Sequence, residues 1–139
     1  MCDSSGLRTE QACIDFFEFI MSLTVYGIPN CSTVKKARAW LESRGVSYTF
    51  HDYKKQGVPA ERLDGWMTAA GWEKLVNRQG TTWRKLDDAT KAGVVDAASA
   101  KALMVANASV IKRPVIELDG QLVAVGFDAA AEAAVASRV

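Results

Sequence analysis

At 139 residues, with 49% apolar and 24% charged side chains, the chain has the length and balance of one globular domain that buries its own core without metal or disulfide staples. A formal net charge of +1, with no dense run of lysine or arginine, offers no field to draw in nucleic acid or an anionic membrane surface. Cys2, Cys13 and Cys31 are odd in number and two stand in an unpromising N-terminal stretch, which argues against a disulfide framework and for a reducing compartment, the cytoplasm.

Residues 1–20 read as an appended segment. Asp3, Ser4, Ser5 and Gly6 are polar, Ile14, Phe16, Phe17, Phe19 and Ile20 crowd together, and Met21 opens directly into a strand pattern, so Met21 is the expected functional start and residues 21–139 the domain. The start lacks the basic region of a secretory signal, and no run approaches the length of a membrane-spanning helix. Leu23, Val25 and Tyr26 predict a strand that stops at Gly27, Pro29 and Asn30. Val34, Ala37, Trp40 and Leu41 recur at helical spacing, which predicts a helix from about Ser32 to Arg44 closed by Gly45. Val46, Tyr48 and Phe50 then alternate with Ser47, Thr49 and His51 at the period of a half-buried strand.

From about 59 to 107 strand alternation is missing and helix starts recur, at Pro59, at Thr82 ahead of Trp83, and at Asp96 as the N-cap of Ala97 to Ala106. This predicts a helical insert. Pro114 precedes Val115, Ile116 and Leu118, Asp119-Gly120 suits the two positive-φ positions of a tight turn, and Leu122, Val123 and Val125 return. Asp128 caps a last helix from Ala129 to Ala136. The order β-α-β, helices, β-β-α predicts an α/β fold with helices packed on a small mixed sheet.

Chemistry concentrates at Cys31, where strand and loop hand over to a helix. Its sulfur should meet unpaired backbone N–H groups at the positive end of the helix dipole, with Lys35 one turn further on, and both favour thiolate over thiol. The polar or turn-forming neighbours Pro29, Asn30, Ser32 and Thr33 point to a surface loop. Val34 occupies the place a CxxC partner would need, so the resolving thiol must come from outside, and glutathione is the natural small candidate. One histidine and no cysteine pair at ligand spacing leave no zinc site, and the lone His51, alternating with Tyr48 and Phe50, reads as a packing residue.

Four strings then form one pattern: YGIPNCSTVKKARAWL from Tyr26 to Leu41, HDYKK from His51 to Lys55, LVNRQGTTWRKL from Leu75 to Leu86, and IKRP from Ile111 to Pro114. In this order, over residues 21–139, they resemble the arsenate reductase (ArsC)/Spx family, and most closely its YffB-like branch. The resemblance implies a thioredoxin-like fold with a helical insertion, Cys31 as the attacking residue, and a cis proline at Pro114 that presents backbone groups to an extended ligand. It also implies Arg78 and Arg113 as anchors for an anion, with Asn30 and Ser32 beside the thiol. Two departures stand out: Gly27 where the arsenate reductases carry a histidine, and Val125-Gly126-Phe127 where they carry a third arginine. Each lost charge-assisted hydrogen bond weakens oxyanion binding by roughly an order of magnitude.

The expected activity is therefore that of a monomeric, metal-free monothiol oxidoreductase using glutathione, with glutaredoxin or an oxidised thiol as further partner. The alternatives are an arsenate reductase and a non-enzymatic regulator of the Spx kind that docks on RNA polymerase.

Overall fold

The computed structural model of the protein describes residues 22–138. The expected extension, residues 1–20 with Cys2 and Cys13, lies outside the described residues.

Strand β1 (Leu23–Gly27) leads through a short loop into helix α1 (Ser32–Ser43), and β2 (Thr49–Asp52) follows. Strand β2 is shorter than the alternation from Val46 suggests. Its parallel pairing with β1 begins at Thr24 opposite Thr49, so Val46 and Tyr48 meet no β1 residue in the ladder, and the Val46 N–H instead donates to Leu41 at 3.0 Å.

Between β2 and β3 (Val115–Leu118) the chain is helical: α2 (Tyr53–Gln56), α3 (Ala60–Ala70), α4 (Trp72–Leu75), α5 (Thr81–Arg84), α6 (Asp88–Ala92), α7 (Ala97–Ala106) and a 3-10 turn at Ala108–Val110. Helix α5 starts one residue before Thr82, with Gly80 at the cap position. Helix α7 starts as expected, with a capping box in which the Asp96 carboxylate accepts from the Ser99 N–H at 2.9 Å. Strand β4 (Gln121–Val125) and helix α8 (Ala129–Ala136) complete the chain. Asp119 (φ 53) and Gly120 (φ 80) make the tight turn, and the Asp128 carboxylate caps α8 by accepting from the Ala131 N–H at 2.8 Å.

The sheet order is β2-β1-β3-β4, with β1 parallel to β2 and antiparallel to β3, and β3 antiparallel to β4. This is the α/β class and element order that the sequence predicts. Because side chains alternate across a strand, the sheet splits the core into two. Leu23, Val25, Ile116 and Ala124 face Ala37 and Leu41 of α1 and Ala131 and Val135 of α8. Tyr26, Val115 and Val125 face the insert through Leu63, Trp66, Leu75 and Met104. Each such large apolar side chain, once buried, stabilises the fold by about 1.5–3 kcal/mol.

The β3–β4 register slips between Ile116 and Glu117, so Val123 is the extra residue of a bulge. Beside this bulge Glu117, 3% exposed, points among apolar neighbours. It accepts hydrogen bonds from Tyr26 Oη at 2.8 Å, Arg62 Nη2 at 2.6 Å and Trp66 Nε1 at 2.5 Å. Burial and then the bond to Glu117 push the Tyr26 phenol up to about 12.

Candidate active site

Cys31 is the N-cap of α1, with extended backbone (φ −92, ψ 129), and its N–H closes a turn onto the Ile28 carbonyl at 3.3 Å. The preceding residues allow α1 to start close against β1. A Cβ on Gly27 would stand 2.8 Å from Cγ2 of Val34, so a side chain at position 27 would push the helix start outward. Cys31 is neither buried among aliphatic residues nor fully exposed.

Partial burial pushes the Cys31 thiol up, and this is the largest single influence on it. Hydrogen bonds from the Val34 N–H, the Arg113 guanidinium and the Thr33 N–H, with the charge of Arg113, act in the opposite sense and together prevail. The thiol therefore lies below the ordinary cysteine value, for the reason that the helix start suggests: backbone donors and a fixed cation serve the ionised sulfur.

The second wall of the site is set by a crossover far along the chain. An isolated antiparallel bridge joins Val76 to Ile111, and the Lys112 N–H donates to Leu75 and the Asn77 N–H to Val110, both at 2.7 Å. These bonds carry Asn77, Lys112 and Arg113 to the mouth of Cys31. Arg113 Nη1 donates to the Ser109 carbonyl at 2.9 Å, and its buried Nε has no partner. The Arg113–Pro114 peptide bond is cis, and Pro114 accepts from the Gly126 N–H at 2.7 Å. A cavity of about 310 Å³ results, lined by Cys31, Thr33, Asn77, Lys112, Arg113, Gly126, Phe127 and Asp128.

The residues singled out by sequence divide into two groups. Cys31, Arg113 and the cis Pro114 come together. Lys35 does not join them: its side chain is exposed, and its charge is not among those acting on the Cys31 thiol. Helical spacing is no guide here because Cys31, the extended N-cap, lies outside the helix proper, where the i, i+4 rule does not apply. Arg78 is exposed and does not line the cavity; its guanidinium lies over Trp72 at 5.3 Å and Trp83 at 6.0 Å, held by the two ring faces. Asn30 and Ser32 are exposed and leave the lining to Thr33. His51 packs against Tyr26 and Tyr53, with Nε2 2.8 Å from the Gly57 carbonyl.

Asn77 and Lys112 carry no sequence signal of their own, because each sits beside a more conspicuous arginine. The signal that could have found them is their place inside the strings around Arg78 and Arg113. Among the described residues no three His, Cys, Asp or Glu side chains form a group that could hold a metal ion, and no helix is long and apolar enough to cross a membrane.

The ArsC family model matches residues 26–135. Among solved structures, a YFFB protein is 48% identical with a TM-score of 0.76, over 84% of this chain and 99% of its own. An arsenate reductase (ArsC) related protein from Brucella melitensis is 56% identical with a TM-score of 0.66, over 82% of this chain and 93% of its own. The global transcriptional regulator Spx of Streptococcus pyogenes is 26% identical over 112 residues, 76% of this chain and 78% of its own.

Proposed function

The chain belongs to the ArsC family, and from that premise we propose that it is a monothiol oxidoreductase that works with glutathione. The observation that carries the reading is a partly buried Cys31 whose thiol the Val34 and Thr33 N–H groups and the Arg113 guanidinium, against the upward push of burial, bring below the ordinary cysteine value.

In the forward step the Cys31 thiolate attacks one sulfur of a disulfide between glutathione and a second thiol. A bond forms between Cys31 Sγ and the glutathione sulfur, the original S–S bond breaks, and the second thiol leaves with the electron pair and takes up a proton. A further glutathione thiolate then attacks the glutathione sulfur of the mixed disulfide, which releases oxidised glutathione and restores the Cys31 thiolate. In net, the second thiol is reduced and the one incoming glutathione is oxidised, ending in oxidised glutathione with the half already present in the disulfide, and a glutaredoxin thiol can take the place of the incoming glutathione. Without a cysteine at position 34 no internal disulfide can form across the first turn of α1. Arg113 stabilises the leaving and attacking sulfur charge and offers a planar donor pair to a carboxylate, while Pro114 presents backbone to the peptide part of the ligand.

The test is intact-mass analysis and NMR titration of wild type and Cys31→Ser with oxidised glutathione. One glutathione should add to wild type and none to the variant, with resonance shifts centred on Cys31, Arg113 and Pro114. If glutathione leaves wild type unmodified while arsenate shifts the same resonances, the thiolate serves arsenate reduction instead. If neither ligand acts and RNA polymerase is retained by the protein, the regulator reading replaces both.

A further inference from the structure

Beside Arg113, a second cation lines the cavity that holds the sulfur. Lys112 lines the cavity that holds Cys31, and its backbone is fixed there by the 2.7 Å bond to Leu75. Its side chain lies across Gly126: a Cβ built on that glycine would stand 2.9 Å from Lys112 Cε and 3.7 Å from Cδ. Gly126 also has φ +81, the left-handed region that glycine alone enters freely, so the residue serves the turn and clears the path of the lysine stem at once. Neither Lys112 nor Arg113 forms a salt bridge among the described residues. The one carboxylate on the cavity wall, Asp128, caps α8 and also feels the charge of Lys112, so it offsets only one of the two positive charges of Lys112 and Arg113. The wall beside the thiol thus carries more positive charge than its own acidic groups neutralise.

We propose that Lys112, laid across Gly126, sets the site's preference for disulfides that carry a carboxylate close to the sulfur, with Gly126 as its positioning residue. The inference rests on the thiolate reading above and adds to it the residue that selects the ligand. In the exchange step the Cys31 thiolate bonds to one sulfur of the disulfide, and the other sulfur leaves with the electron pair. Lys112 takes no part in those bonds; it holds the carboxylate of the half that becomes attached.

The test compares rates of Cys31 exchange with three symmetrical disulfides: dithiodipropionate, which is dianionic, hydroxyethyl disulfide, which is neutral, and cystamine, which is dicationic. The readout is the anionic-to-neutral rate ratio, which a uniform loss of reactivity cannot move. One unit-charge contact near 4 Å in water is worth about fivefold, so Lys112→Met should lower the ratio by about fivefold, and Lys112→Arg should restore most of it. Gly126→Ala should lower it through displacement of the lysine, with circular dichroism confirming that the variant folds. A ratio unchanged by Lys112→Met overturns the proposal. Failure of wild type to attack even the neutral disulfide overturns the thiolate reading instead, so the two outcomes are distinct.

Discussion

Two cavities contain an arginine and an acidic partner, and they are built to opposite ends. In the larger, about 420 Å³, Glu117 is buried and three donors from Tyr26, Arg62 and Trp66 engage both of its oxygens. In the smaller, Cys31 is half exposed, Arg113 keeps a buried Nε without a partner, and Lys112 extends over Gly126 with no salt bridge among the described residues. A buried charge whose oxygens are engaged by donors within the protein holds the fold. A partly open anion with donors in excess can act on something that enters. The contrast separates structural from chemical use of similar groups, and it can be attacked from either side.

The largest effect should come from the Glu117 cluster. Glu117→Ala leaves the Tyr26 hydroxyl and the Trp66 N–H buried without an acceptor, and urea denaturation should show a loss of about 2–5 kcal/mol, less whatever Arg62, with a side chain 38% exposed, recovers from water. In the fraction that remains folded, alkylation of Cys31 should keep its wild-type pH profile. An unchanged midpoint would mean that the cluster does not hold the sheet and the insert together. On the other side, Arg113→Met should raise the Cys31 thiol and slow alkylation at neutral pH by on the order of tenfold. Lys35→Met should move that profile far less. If the two variants act equally, the sulfur is governed by general positive charge and not by the geometry around it.

What could be read in the sequence was local. The turn at Asp119-Gly120, the caps at Asp96 and Asp128, and Cys31 at a helix start each declare themselves within a few residues, because a cap or a positive φ is satisfied by its nearest neighbours. The environment of Glu117 is not local: alternation with Val115 puts it on the insert side of β3, but an acidic residue in the run VIEL gives no sign of its partners, which are 91, 55 and 51 residues away. The same limit explains Lys35 and Arg78. Their chain positions are near the site, but side-chain direction depends on the extended N-cap in one case and on the Trp72 and Trp83 faces in the other. Lys112 shows the converse limit: beside the conspicuous Arg113 in the string IKRP, the path its stem takes is open only because a residue on another segment, Gly126, lacks a side chain.

The smallest effect is also the sharpest. Cys31→Ser removes a half-exposed atom and leaves every core residue in place, so at mildly acidic pH its stability should match wild type within about 0.5 kcal/mol. The two should then diverge as pH rises. The folded protein holds the Cys31 thiol below its ordinary value and the unfolded chain does not, so between those two values the unfolded state binds more protons. The stabilisation from the thiolate is therefore absent below the folded value, grows through the window, and is complete above the ordinary cysteine value. Tyr26 and Tyr53, both pushed up by burial, are present in the two proteins, and their alkaline contributions cancel in the difference. Urea midpoints of wild type and Cys31→Ser, measured under reducing conditions from mildly acidic to mildly alkaline pH, should thus separate in favour of wild type. A gap that narrows as pH rises would show that the native surroundings favour the protonated sulfur, and would place Cys31 with Glu117 among the groups that serve the fold alone.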